Sequence, residues 1–127
     1  MFLLIDTSEK DNIQLALFDQ NIIEHQNYSV PNRELLVCID NLVKSKKYKV
    51  ESIGGIMVVV GAGNFTNTRI ACVVANSFAY SLQIPLLAIQ KEEVEKAQDL
   101  IPKLLEQIPG HYISATYSAE PNIGKKK

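Results

Sequence analysis

Two short stretches of this 127-residue sequence carry residue types from which an anion or metal site is built. The first is Asp6-Thr7-Ser8, a carboxylate and two hydroxyls closing an apolar run. Such a carboxylate can orient a metal-bound water or flank a phosphate. It can equally be a turn residue bonded to its own backbone. No second acidic or basic partner stands at a defined spacing from it. The second stretch is Gly61-Ala62-Gly63-Asn64-Phe65-Thr66. A Gly-x-Gly turn between an apolar run and an amphipathic segment aims backbone N–H groups and a helix start at one place, where an anion can sit. The Gly-Lys-Ser/Thr ending of a nucleoside-triphosphate loop is missing, and Thr66 stands where a dinucleotide loop carries its third glycine. Asn64 or Thr66 can cap the helix and the glycines permit the bend, so the turn reads first as structural. Asp6, Thr7, Gly61 and Gly63 are the weak anion-site candidates.

The remaining reactive side chains are scattered. Arg69 is the one charged residue between Gly61 and Leu82. It suits an anion, an ion pair within the chain, or a partner surface. His25 and His111 share no ligand spacing with each other or with the cysteines, so no metal site is expected. Cys38 and Cys72 lie in apolar helical patterns outside any C-x-x-C pair and read as reduced core or interface thiols. No Ser-His-Asp or Cys-His arrangement can be placed, and five tyrosines are too dispersed for a stacking surface. A formal charge of −1 gives no basic surface for nucleic acid, and Lys125 to Lys127 form only a short basic tail. The start, Met1-Phe2-Leu3-Leu4-Ile5, lacks the features of a signal peptide. No apolar run approaches the ~18 residues of a spanning helix. The expectations are no cofactor, no membrane association and a reducing, cytoplasmic location.

These residues must be positioned by the elements around them. Phe2 to Asp6 lacks alternation, as a strand buried on both faces does. Ile13 to Phe18 pairs with it as a hairpin, and the more polar Ile22 to Ser29 reads as a third strand nearer an edge. Pro31-Asn32 begins a helix with Asn32 as its cap. Leu35, Leu36, Ile39, Leu42 and Val43 mark its single buried stripe. Lys44 to Lys49, with four lysines, favours a helix end and a wet loop. Gly54 and Gly55 precede the apolar run to Val60 and mark its start or a bulge. The next helix runs to about Leu82. It carries Ile70, Val73, Val74, Phe78 and Leu82 together with many small residues. Poor in charge, it should meet the sheet on one side and something else on the other. Pro85 bounds it and Leu86 to Ile89 is a short strand. Lys91 to Gln107 is a second amphipathic pattern that Pro102 kinks or splits. Tyr112 to Tyr117 reads as a doubtful last strand, and Ser118 to Lys127 as an irregular tail.

The order β-β-β-α-β-α-β-α implies an α/β fold, a mixed five-stranded sheet with flanking helices. It is the order of one half of the actin-like ATPase architecture shared by sugar kinases and Hsp70. The chain is too short for both halves and shows no convincing internal repeat. Residues 1–108 are expected to form the half-domain and 109–127 a C-terminal strand-like segment with a basic tail.

Leu3-Leu4-Ile5-Asp6-Thr7-Ser8, then Gly61-Ala62-Gly63-Asn64-Phe65-Thr66-Asn67-Thr68-Arg69-Ile70, then Ile84-Pro85-Leu86, together resemble the TsaB (YeaZ) family over roughly residues 2 to 90. Members of that family show an aspartate-threonine-serine start. They then carry a glycine-proline-glycine-serine-phenylalanine-threonine-glycine-x-arginine-isoleucine-glycine motif, and an isoleucine-proline pair before a strand. The end, Tyr117 to Ile123, is weakly similar to the tail of full-length members. Here Ala62 replaces the proline, Asn64 the serine, Asn67 the glycine and Ala71 the last glycine. The histidine common near the first helix is absent, residues 32 to 35 being Asn-Arg-Glu-Leu, and most of the second domain is missing.

The resemblance implies a non-catalytic subunit in threonylcarbamoyladenosine biosynthesis at position 37 of ANN-decoding tRNAs. Its partners would be a TsaD-like transferase, which carries the metal, and a TsaE-like ATPase. Homodimerisation is also implied, and tRNA would be met only through the complex. The resemblance places the interface on Leu36, Ile39 and Val43 of the first helix and on Phe65, Thr66, Arg69, Ile70, Val73 and Val74 of the second. Two other classes stay open. One is a small nucleotide-dependent phosphotransferase or metallopeptidase-like enzyme. The other is a self-associating paralogue without a tRNA role.

Overall fold

The computed structural model describes residues 1–61 and 65–109. Strands β1 (Phe2–Glu9), β2 (Asn12–Phe18) and β3 (Ile23–Tyr28) lead into helix α1 (Leu35–Ser45). Strand β4 (Ile56–Val59), helix α2 (Phe65–Leu82) and strand β5 (Leu86–Ile89) follow. A 3-10 segment (Lys91–Leu100) and helix α3 (Ile101–Leu105) complete the order. The sheet runs β3-β2-β1-β4-β5. The first three strands are antiparallel neighbours, whereas β1, β4 and β5 are parallel. This is the mixed five-stranded sheet expected from the sequence.

Two-residue periodicity sorts the central strands onto two faces. Leu3, Ile5, Leu15, Leu17, Ile56 and Val58 pack with Leu35, Cys38, Ile39, Leu42, Val43 and the inner side of α2. Leu4, Ala16, Phe18, Met57, Val59, Leu87 and Ile89 pack with Ala97, Ile101 and Leu104 on the opposite side. Burial on both faces explains the near-continuous apolar runs of β1 and β4. Gly55 lets this second layer close. A Cβ there would lie 2.8 Å from Leu104 Cδ2. Ala71, Ala75 and Ala79, one turn apart and fully buried, bring the backbone of α2 close to the sheet.

Several local expectations change. Asn32 lies in a 3-10 turn (Asn32–Glu34) and caps nothing with its side chain. It is buried, and its Oδ1 accepts the Asp11 N–H at 3.0 Å, tying the helix start to the β1–β2 turn. Leu36 leaves the buried stripe, which Cys38 joins instead, because position 38 falls on the sheet side of the helical turn. β4 begins at Ile56; Val50–Ser52 form a 3-10 turn ahead of it. The third helical pattern is 3-10 as far as Leu100, with non-helical backbone at Lys96. Pro102 sits in the first turn of α3, where its missing N–H removes no bond, so it starts a helix rather than kinking one. The expected Tyr112–Tyr117 strand, the tail and nearly all of the 109–127 segment lie outside the described residues. Among the described residues no helix is long and apolar enough to cross a membrane.

Candidate functional site

Ligands of open α/β sheets gather at the carboxyl ends of parallel strands. Here those are the ends of β1, β4 and β5, and the sequence candidates converge there. Asp6 is only 2% exposed, yet it carries a carboxylate. A register irregularity between Asp6 and Glu9 lifts the end of β1 out of the regular ladder with β2. Asp6 Oδ1 accepts the Ser8 N–H at 2.9 Å. Asp6 Oδ2 accepts from the ammonium of Lys91, whose side chain is 41% exposed at the start of the 3-10 segment. The Thr7 hydroxyl donates to the Asn67 carbonyl at 3.0 Å, fastening the strand end to the first turn of α2. Gly61 follows β4 with φ +80, a conformation that suits glycine, and a Cβ there would run into the Gln90 side-chain amide. Glu93 accepts the Gln90 N–H at 2.8 Å and so fixes the turn that presents Gln90 and Lys91.

Sequence reasoning found Asp6, Thr7 and Gly61 but not Gln90 or Lys91. A lysine at the start of a charged segment signals nothing until the fold brings it to β1. Gly63 lies outside the described residues. Among the described residues no group of histidine, cysteine and acidic side chains could hold a metal ion. His25 is exposed on β3, and His111 is outside the described residues. Cys38 and Cys72 are buried free thiols. Burial raises both above the usual thiol range, Cys72 to about 11, which is the reverse of a reactive cysteine.

The second region is the outer face of α1 and α2. Val73 and Tyr80 are 62% and 73% exposed on α2, and Leu36 and Val37 are 55% and 54% exposed on α1. A groove of about 310 Å³ lies between the helices, lined by Leu36, Val73, Val74, Ser77, Phe78 and Ser81. Scattered exposed apolar residues are ordinary, whereas here Leu36 and Val73 lie together along one groove. Of the expected interface residues, Leu36, Thr66, Arg69 and Val73 are exposed, and Ile70 and Val74 are half-buried. Ile39 and Val43 are a correction. Both are buried against the sheet, because they share the inward stripe of α1 with Leu35 and Leu42. The side chain of Phe65 is outside the described set. Val37, Ser77, Phe78, Tyr80 and Ser81 were missed. For the four on α2 the signal was the charge-poor outer half of that helix, where Ser77, Tyr80 and Ser81 are exposed.

The chain was compared with known proteins. The model of the family described as TsaD, tRNA N6-adenosine threonylcarbamoyltransferase, matches residues 31–113, well over half of the chain. The solved structure of YeaZ from Pseudomonas aeruginosa is similar at 27% identity with a TM-score of 0.63, over 70% of this chain and 44% of that one. A Pseudomonas aeruginosa structure described as an uncharacterized protein with similarity to peptidase YeaZ also matches. It shows the same identity and TM-score, over 70% of this chain and 42% of that one. The chain thus spans less than half the length of either structure. No curated protein matches it.

Proposed function

The chain belongs to the TsaD, tRNA N6-adenosine threonylcarbamoyltransferase, family and is TsaB (YeaZ)-like, and from that premise we propose a non-catalytic role for it in threonylcarbamoyladenosine biosynthesis on tRNA. In this reading it pairs with a TsaD-type transferase through the outer face of α1 and α2. The observation that carries the reading is the groove lined by Leu36, Val73, Val74, Ser77, Phe78 and Ser81. Its apolar floor and hydroxyl rim have the make-up of a small interface centre, where a few well-buried contacts supply most of the affinity. Ala71, Ala75 and Ala79 hold α2 against the sheet from behind, so the face is presented rigidly and little ordering is needed on docking.

The strand ends support the non-catalytic part. The Lys91 ammonium on Asp6 puts a positive charge where a metal ion would have to bind, which weighs against the metal-dependent phosphotransferase and metallopeptidase alternatives. The same apolar face also suits a second copy of the chain, as the self-association alternative requires. A cytoplasmic location, where tRNA is modified, goes with the proposal. Threonylcarbamoyl transfer to an ANN-decoding tRNA tests it. A TsaD-type transferase is assayed with and without the chain, and the chain is assayed alone. The expected result is product that rises when the chain is added to the transferase and no product from the chain alone. Transfer by the chain alone, or transferase activity indifferent to it, overturns the proposal.

A further inference from the structure

The sheet has two edges, β3 and β5, and they differ. β5 is four residues long, and its Leu86, Leu87 and Ile89 are buried. β3 is six residues long, and Glu24, His25, Gln26 and Asn27 along it are exposed. The hairpin decides which of its backbone groups are free. The Asp19 N–H donates to the Ile22 carbonyl at 2.9 Å, so Asp19 and Ile22 form a hydrogen-bonded pair. Antiparallel pairs alternate between bonded and non-bonded. The bonded pairs are then Leu17 with Glu24, Leu15 with Gln26 and Ile13 with Tyr28. Ile23, His25 and Asn27 turn their N–H and C=O groups away from β2. Exposed edges are ordinarily blunted by proline, lysine, a bulge or a covering element. Ile23–Tyr28 contains neither proline nor lysine, and its register with β2 is unbroken. Among the described residues no strand pairs with its outer side. Its one formal charge, Glu24, has the Lys46 ammonium of α1 at 4.0 Å.

We propose that a second copy of the chain adds to this edge, antiparallel, about a two-fold axis at His25. An isologous pairing centred there sets Ile23 opposite Asn27 of the second copy, and His25 opposite His25. Those are all the outward residues of β3, so each free N–H meets a free C=O. Glu24 then faces Gln26 of the second copy. An axis at Glu24 or at Gln26 leaves one outward residue unpaired, and the first of these also sets two Glu24 carboxylates against each other. The pairing at His25 joins the two five-stranded sheets into one continuous sheet. A contact of two strands is smaller than a standard interface, so the dimer is weak, with a Kd on the order of 10–100 μM. The surface is the sheet edge and not the outer face of α1 and α2. It can therefore fail without touching the pairing proposed above, and the reverse also holds.

Sedimentation equilibrium of the full chain tests it, as wild type, His25→Lys, His25→Glu, an equimolar mixture of those two variants, and Val73→Glu. Position 25 is exposed, so both substitutions leave the fold intact, as thermal unfolding checks. Wild type and Val73→Glu are expected to dimerise alike. Each His25 variant alone sets like charges on the axis and is expected to dimerise about fivefold more weakly, while the mixture, with opposite charges there, regains at least wild-type affinity. The proposal is overturned by a wild-type chain that stays monomeric up to about 500 μM, well above the expected Kd. It is also overturned by His25 variants that associate like wild type, by a mixture no tighter than its components, or by a dimer that Val73→Glu abolishes.

Discussion

Asn32 has no charge and no place in the strand-end cluster, yet it fixes where α1 begins. Its amide carbonyl takes the Asp11 N–H in the turn between β1 and β2, a partly buried bond on a buried side chain. Asn32→Ala leaves that donor without its partner and is expected to cost about 1–2 kcal/mol in urea unfolding. An unchanged midpoint would show that water replaces the bond freely. Cys72 gives a prediction with a pH sign. Burial raises its thiol to about 11, above the ordinary value of 9.0. The protonated form is therefore favoured in the folded state. The stability it contributes is fully present below about pH 9 and is lost as pH rises through 9 to about 11. Urea unfolding between pH 8 and 11 should show this fall, and Cys72→Ala should flatten it; equal slopes in the two proteins would contradict the assignment. Buried thiols were legible in the sequence because each cysteine sits in an apolar helical pattern. The partner of Asp6 was not legible, because Lys91 is 85 positions away and only the fold brings the two together.

At the scale of elements, α1 and α2 end in the same way. Lys47 and Gln83 carry positive φ values of 64 and 54, where glycine is usual. The Tyr48 N–H closes on the Val43 carbonyl at 3.0 Å, and the Ile84 N–H on the Ala79 carbonyl at 3.1 Å. Lys47→Gly relieves the left-handed conformation at an exposed site and is expected to stabilise the fold by about 0.5–1 kcal/mol, read as a higher urea midpoint. A lower midpoint would mean that the chain entropy of glycine outweighs the relief. Ala75→Leu acts in the opposite sense: it inserts three carbons between α2 and the sheet and should cost about 1–3 kcal/mol. The limits of α2 were readable because the glycine turn and Pro85 bracket one unbroken pattern. Which side of α1 would be covered was less readable, since Leu35 and Leu36 are equally apolar and only the helical phase separates them. The 3-10 character of Lys91–Leu100 carries no distinct apolar period, so the sequence suggested an ordinary helix there.

At the scale of the molecule, a sheet buried on both faces uses the inner sides of α1 and α2 for one layer and the 3-10 segment with α3 for the other. What is left over is the outer side of α1 and α2, and the function proposed here rests on it. The element order alone pointed to this architecture, since three antiparallel strands followed by helix-strand crossovers leave few topologies. The face on which the proposal rests was only half legible. The family resemblance pointed to the first two helices, but Ile39 and Val43 are core, and the groove residues of α2 needed the three-dimensional helix phase. Val73 is 62% exposed, so Val73→Glu should leave folding stability within about 0.5 kcal/mol of wild type while placing a charge beside an apolar groove. The most direct measurement is a calorimetric titration of a TsaD-type transferase with wild-type chain and with Val73→Glu, after thermal unfolding has shown both to be folded. Saturable one-to-one binding by wild type and at least about tenfold weaker binding by Val73→Glu, a loss of roughly 1.4 kcal/mol, is the predicted result. No binding by wild type, or equal affinities for the two proteins, would contradict the docking of a transferase on this face.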